Sequence, residues 1–144
     1  GYILMLENDQ HDRETSSNYF DPNQIRVEFL QFSNEVIPFL NDKEKSNSLP
    51  ALILLSMNSL PEIGLTVLNN IKAIEQFKHI PVIVLGENTQ PELVKACYGA
   101  GASTFVNKPF TSQLTDISIR SFIQYWFEVA ELPQANTTYK TEKA

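Results

Sequence analysis

Three short stretches of this chain are apolar without interruption: Tyr2–Leu6, Ala51–Leu55 and Pro81–Leu85. A strand with one wet face alternates apolar and polar residues, whereas a strand covered on both faces reads as a continuous apolar run. The three runs therefore predict central strands with helices on either side. Ile25, Val27 and Phe29 alternate with Arg26 and Glu28, which predicts a half-exposed edge strand, and Thr104–Val106 predicts a short fifth strand.

Helix-like segments fill the intervals. Glu62–Phe77 places Val67, Leu68, Ile71 and Ile74 on one face. Asp12–Phe20 is short and polar. Ser33–Asp42 carries Val36, Ile37 and Leu40, and Pro38 should bend or shorten it by removing a backbone donor. Thr89 with Glu92 forms a capping-box pattern, and Pro91 suits the first turn of a helix that reaches Gly99. Thr111 caps a last helix to about Glu131. Strand–helix alternation predicts an α/β fold, a parallel sheet between two helical layers. Two edge-like strands, the second and fifth, flank three apolar ones, which fits the order 2-1-3-4-5 of flavodoxin-like folds. Function in such sheets sits beyond the carboxyl ends of the strands. That selects Glu7-Asn8-Asp9, Ser56-Met57-Asn58, Gly86-Glu87-Asn88 and Asn107-Lys108-Pro109-Phe110.

Charge and composition remove several function classes. A net charge of −6, with 11 scattered basic residues, argues against a nucleic-acid surface. The one cysteine, Cys97, precludes an internal disulfide and fits a reducing compartment; beside Leu93 and Val94 it reads as core. No apolar run approaches the ~20 residues of a membrane span, and no signal peptide is visible, so a cytoplasmic protein is expected. His11 and His79 have no metal-ligand spacing, and no glycine-rich phosphate loop or nucleophile–base pair occurs. An enzyme is the least favoured class.

Two segments carry a family likeness. Pro50–Gly64 resembles the third strand and following loop of the response-regulator receiver family, and Gly99–Phe110 resembles its helix-four end, fifth strand and Lys-Pro turn. The resemblance covers roughly Tyr2 to Ala130. It implies that Lys108 is the lysine that contacts the phosphoryl group, Pro109 the proline after a cis bond, Phe105 the aromatic that changes rotamer on activation, and Gly64 the glycine that opens helix three. Asp9 matches one of two metal-binding acids and is the only family metal ligand retained, because Asn8 stands at the other. Ser56 stands where the family has its phospho-accepting aspartate, and Gly86 where it has a serine or threonine.

These departures have physical consequences. A unit charge ~4 Å from an ion is worth about 4 kcal/mol per unit of ion charge at an effective dielectric near 20. Neutral residues at positions 8 and 56 should leave magnesium binding weak or absent, so no cofactor is expected. A serine hydroxyl with no adjacent base is a poor nucleophile. Lys108 should then pair with Asp9 or Glu7. Missing side-chain volume at Gly86 should leave room in the remnant pocket formed by Glu7, Asn8, Asp9, Gly86, Lys108 and Pro109.

The last helix repeats Ile119, Phe122, Ile123, Trp126, Phe127 and Ala130 on one stripe, with Leu114, Ile117, Tyr125 and Val129 beside it. That exceeds what one buried face needs and predicts a partner surface. Ser121–Pro133 resembles the carboxyl terminus of phytochrome-associated single-domain receivers, which implies a homodimer through Phe122, Tyr125, Trp126 and Val129. The expected organisation is a receiver domain over 1–132 and a polar tail over 133–144, with native residues preceding Tyr2 and no output domain following. The expected function is that of an atypical single-domain response regulator in a two-component phosphorelay. It would act by contact with a sensor histidine kinase or another signalling protein, without phosphorylation. The alternative is a pseudo-receiver that binds a small anionic or organic ligand near Ser56, Gly86 and Lys108.

Overall fold

The computed structural model describes residues 1–20 and 25–107. They form a parallel sheet of β1 (Ile3–Leu6), β2 (Val27–Leu30), β3 (Leu52–Ser56), β4 (Val82–Gly86) and β5 (Thr104–Asn107), in the order β2-β1-β3-β4-β5. The helices between them are α1 (Gln10–Phe20), α2 (Val36–Lys45), α3 (Gly64–Lys72) and α4 (Pro91–Gly99). Every residue of β1, β3 and β4 is buried, while β2 is half-buried throughout and β5 nearly so. The apolar runs are thus the central strands and the second and fifth strands are the edges.

Strand alternation divides the core in two. Leu4, Leu6, Ile53, Leu55, Val82 and Val84 face α2, α3 and α4, meeting Val36, Leu40, Val67, Leu68, Ile71 and Cys97. Ile3, Met5, Leu52, Leu54, Ile83 and Leu85 face the other way with Phe20 of α1. Full burial of one such side chain contributes about 1.5–3 kcal/mol, so both faces hold the sheet. Cys97 is wholly buried, and burial pushes its thiol pKa up, as a core position requires.

Three local expectations are corrected. Pro38 does not shorten α2, which runs 10 residues from Val36 to Lys45. A single 3₁₀ turn, Ser33–Glu35, precedes the helix, so Pro38 falls in the first turn of α2, where a backbone donor has no helical partner anyway. Helix α3 stops at Lys72 rather than Phe77. The Lys72 ammonium, its pKa lowered by burial, donates to the carbonyls of Lys78 (3.0 Å) and Ile80 (2.8 Å), gathering residues 73–80 into turns that bury Phe77 and Ile80. Thr89 does not cap α4. Gln90 precedes Pro91 without a side-chain cap, and Asn88 turns the chain with φ of 53°. The peptide before Pro61 is cis; Pro109 lies outside the described residues.

Tyr2 fastens the amino terminus. Its hydroxyl donates to the Ser48 carbonyl at 2.6 Å, and the Arg26 guanidinium sits 4.6 Å from its ring centre. Burial pushes its pKa up from 10.0 to about 12, opposed by Arg26 and reinforced by Glu28. A raised folded-state pKa gives stability that is fully present below pH 10.0 and lost as pH climbs toward about 12. Urea midpoints measured on both sides of pH 10.0 should therefore fall more steeply in the parent than in Tyr2→Phe; equal slopes would contradict this account.

Candidate functional site

Parallel pairing brings the strand ends into line. Leu6 pairs with Leu55, Ser56 with Leu85 and Gly86 with Asn107, so the residues after β1, β3 and β4 share one end of the sheet with Asn107. Glu7, Asn8, Asp9, Ser56, Gly86 and Phe105 gather there. Lys108, Pro109, Phe122, Tyr125, Trp126 and Val129 lie outside the described residues, as does the pairing expected of Lys108.

The acidic loop after β1 is not uniform. Glu7 is buried, Asn8 half-buried and Asp9 exposed. Glu7 belongs to the wall of the site: its Oε2 accepts the Asp9 N–H at 3.3 Å and its carbonyl accepts Arg13 Nη1 at 2.7 Å. Asp9 Oδ1 accepts the Asp12 N–H at 2.9 Å, so Asp9 caps α1, and the helix begins two residues earlier than expected. Arg13 was not visible as a participant in the sequence. Its only signal is that α1 is polar and follows the strand directly.

Ser56 ends β3 and is 1% exposed. Its carbonyl accepts the Ser59 N–H at 3.3 Å, yet its Oγ finds no hydrogen-bond partner among the described residues. Gly64 is required just beyond it. A Cβ there would lie 2.6 Å from the Ser56 carbonyl oxygen and 3.0 Å from Met57 Cα, contacts that only glycine avoids. The Gly64 N–H instead donates to the Met57 carbonyl at 3.0 Å, seating α3 against the loop after β3.

Gly86 does not leave space. A Cβ on it would run into Thr89 Oγ1 and Phe105 Cζ, and would stand 3.1 Å from Phe105 Cε1. The volume that the sequence suggested was empty is filled by these two side chains. Thr89, read from the sequence as a helix cap, is thereby redirected over β4. An open cleft of about 640 Å³ lies to one side, between the loop after β3 and the start of α4, lined by Met57, Asn58, Asn88, Thr89, Gln90 and Leu93 with Glu87 and Glu92. No group of three His, Cys, Asp or Glu that could hold a metal occurs among the described residues, and no helix among them is long and apolar enough to cross a membrane.

Known proteins share this fold. Residues 3–120 match the response regulator receiver domain. The chain belongs to the response-regulator receiver family. Two-component response regulator ORR13 of rice is 24% identical over 109 residues, covering 75% of this chain and 86% of its own length. ORR1 of rice is 33% identical over 82 residues, but the chain spans only 36% of that protein. Among solved structures, the phosphorylated cyanobacterial phytochrome response regulator RcpA superposes with a TM-score of 0.83 at 25% identity, covering 92% of this chain and 98% of its own. The manganese-bound response regulator Rcp1 gives 0.80 at 25% identity, covering 92% and 99%.

Among the described residues the Ser56 hydroxyl has no partner, which yields a direct expectation. A buried hydroxyl without a hydrogen bond costs about 1–3 kcal/mol. Ser56→Ala should therefore raise stability by about 1 kcal/mol in urea unfolding. A loss of stability would show that the hydroxyl has a partner that matters.

Proposed function

We propose that this receiver acts as an atypical response regulator of a two-component system, transmitting by protein–protein contact without phosphoryl transfer at Ser56. The observation that carries the reading is the Ser56 hydroxyl: buried, and with no acceptor among the described residues to take its proton. A hydroxyl oxygen needs such a base before it can attack phosphorus. Membership of the family supplies the signalling role, and nothing around Ser56 among the described residues supports a reaction, so we read the chain as a non-enzyme.

The donor set does not suit magnesium. Asn8 and Ser56 are neutral, and one Asp9 oxygen is committed to the Asp12 N–H. Magnesium favours carboxylate and phosphate oxygens in an octahedral shell, so weak or no binding follows. The rival reading, a pseudo-receiver that takes an anion or organic ligand beside Ser56 and Gly86, needs room at Gly86 that Phe105 and Thr89 occupy. The adjoining cleft carries Glu87 and Glu92, which repel an anion.

The partner is a sensor histidine kinase or another signalling protein in the cytoplasm, and the chain pairs with itself through Phe122, Tyr125, Trp126 and Val129. Support for the pairing is the apolar excess of that sequence and its likeness to phytochrome-associated receivers.

Two measurements test this reading. Incubation with magnesium and acetyl phosphate should leave the intact mass unchanged; a stable phosphoryl adduct on Ser56 would refute it. Sedimentation should show a dimer in the parent and a monomer in Trp126→Ala; the same species in both would remove the proposed interface.

A further inference from the structure

Lys72 ends α3 at the opposite end of the sheet from Ser56, beside the segments that lead into β4 and β5. Its Nζ donates to the carbonyls of Lys78 at 3.0 Å and Ile80 at 2.8 Å. Its stem runs along Gly101, where a Cβ would stand 3.4 Å from Lys72 Cγ and 3.5 Å from Cδ and Cε. Both acceptors are neutral, and among the described residues Lys72 has no carboxylate partner. Glu75, the one acid on the turn folded over it, is paired with Lys78 at 3.0 Å. Gly101 lies between Ala100 and Ala102 and brings no charge. His79 is the other titratable group on the turn. Burial first, and then Lys72, hold its pKa below the ordinary 6.5, so it is neutral at alkaline pH.

These surroundings treat the two protonation states of Lys72 unequally. A lysine in an ion pair forfeits that pair when it gives up a proton. Lys72 forfeits no protein contact, because a neutral amine still has two N–H groups and two carbonyls stand ready to take them. The lone pair is then left where the third proton was. Burial favours the same neutral form and lowers the pKa from 10.5. The bond to the Lys78 carbonyl lies at the exposed surface, so a reagent can reach the nitrogen. A desolvated lysine of this kind is a nucleophile.

We propose that Lys72 is a site of N-acylation by small acyl thioesters, and that acylation opens the turn over residues 73–80. The neutral amine attacks the thioester carbonyl carbon. A C–N bond forms, the C–S bond breaks, and the departing thiolate takes up the proton that nitrogen sheds. The amide product keeps one N–H, so one of the two carbonyls loses its donor and the positive charge is gone. The turn that buries Phe77 and Ile80 is then held by its backbone bonds alone. This site goes beyond the reading of Ser56 and does not depend on it.

The experiment is acetylation of the whole chain by acetyl coenzyme A, with the rate at each lysine read by peptide mass spectrometry. At mildly alkaline pH, Lys72 should be acetylated severalfold faster than the exposed Lys78 and Lys95. Above pH 10.5 the exposed amines are neutral too, and the lead should vanish. It should also vanish in urea, because the fold creates it. Equal rates in the folded chain at mildly alkaline pH, or a lead that survives in urea, would overturn the site. Hydrogen exchange on the acetylated protein then reads the turn. The amides of Phe77, Lys78 and Ile80, all bonded within it, should exchange severalfold faster than in Lys72→Arg treated in the same way, since arginine keeps the charge and the donors but takes no acetyl group. Equal exchange in the two would overturn the opening of the turn. No phosphoryl donor is present, so neither result bears on Ser56.

Discussion

Three strands covered on both faces fix everything else in this molecule. Because β1, β3 and β4 alternate their side chains between two apolar layers, a slip of one residue in any of them would exchange the two layers' side chains. Register is therefore held by the whole core, and the strand ends inherit that precision. Ser56 opposes Leu85 and Gly86 opposes Asn107 for this reason, with no polar interaction needed to align them. The two glycines then work in opposite senses. Gly64 lets a helix approach the Ser56 carbonyl, while Gly86 lets a ring approach the β4 backbone.

The fold was legible because it rests on patterns that repeat. Continuous apolar runs became the central strands, and the alternation of Ile25, Val27 and Phe29 marked the half-buried edge at β2. Local punctuation was less reliable. Pro38 looked like a defect, but a 3₁₀ turn shifts the helix start so that it costs no hydrogen bond. The apolar spacing through Ile74 and Phe77 suggested a longer α3. Those residues stay buried after the helix ends, because Lys72 binds the carbonyls of the turns that follow. Burial pattern and helix extent are different quantities, and only the first is written in hydrophobic spacing.

The candidate site was legible in position but not in detail. Sheet order pointed to the residues after β1, β3 and β4, and these are the ones that converge. What each side chain does there depends on which of several nearby partners it takes. Asp9 read as a remnant metal ligand, and the structure shows it capping α1 through the Asp12 N–H. Thr89 read as a helix cap, and it lies against Gly86. In both cases a short polar side chain has more than one local use, and the spacing of residues alone does not say which is taken.

The departures at positions 56 and 86 become one problem when their volumes are considered together. On the proposed reading no phosphoryl group forms at Ser56, so a hydroxyl at position 86 has nothing to meet. Keeping it would exclude the Phe105 ring from the core face beside Val84 and leave a large apolar surface on an edge strand. Burying an aromatic side chain is favourable by a few kcal/mol, whereas an unmatched buried hydroxyl costs about 1–3 kcal/mol. On that reading, packing alone favours glycine at 86.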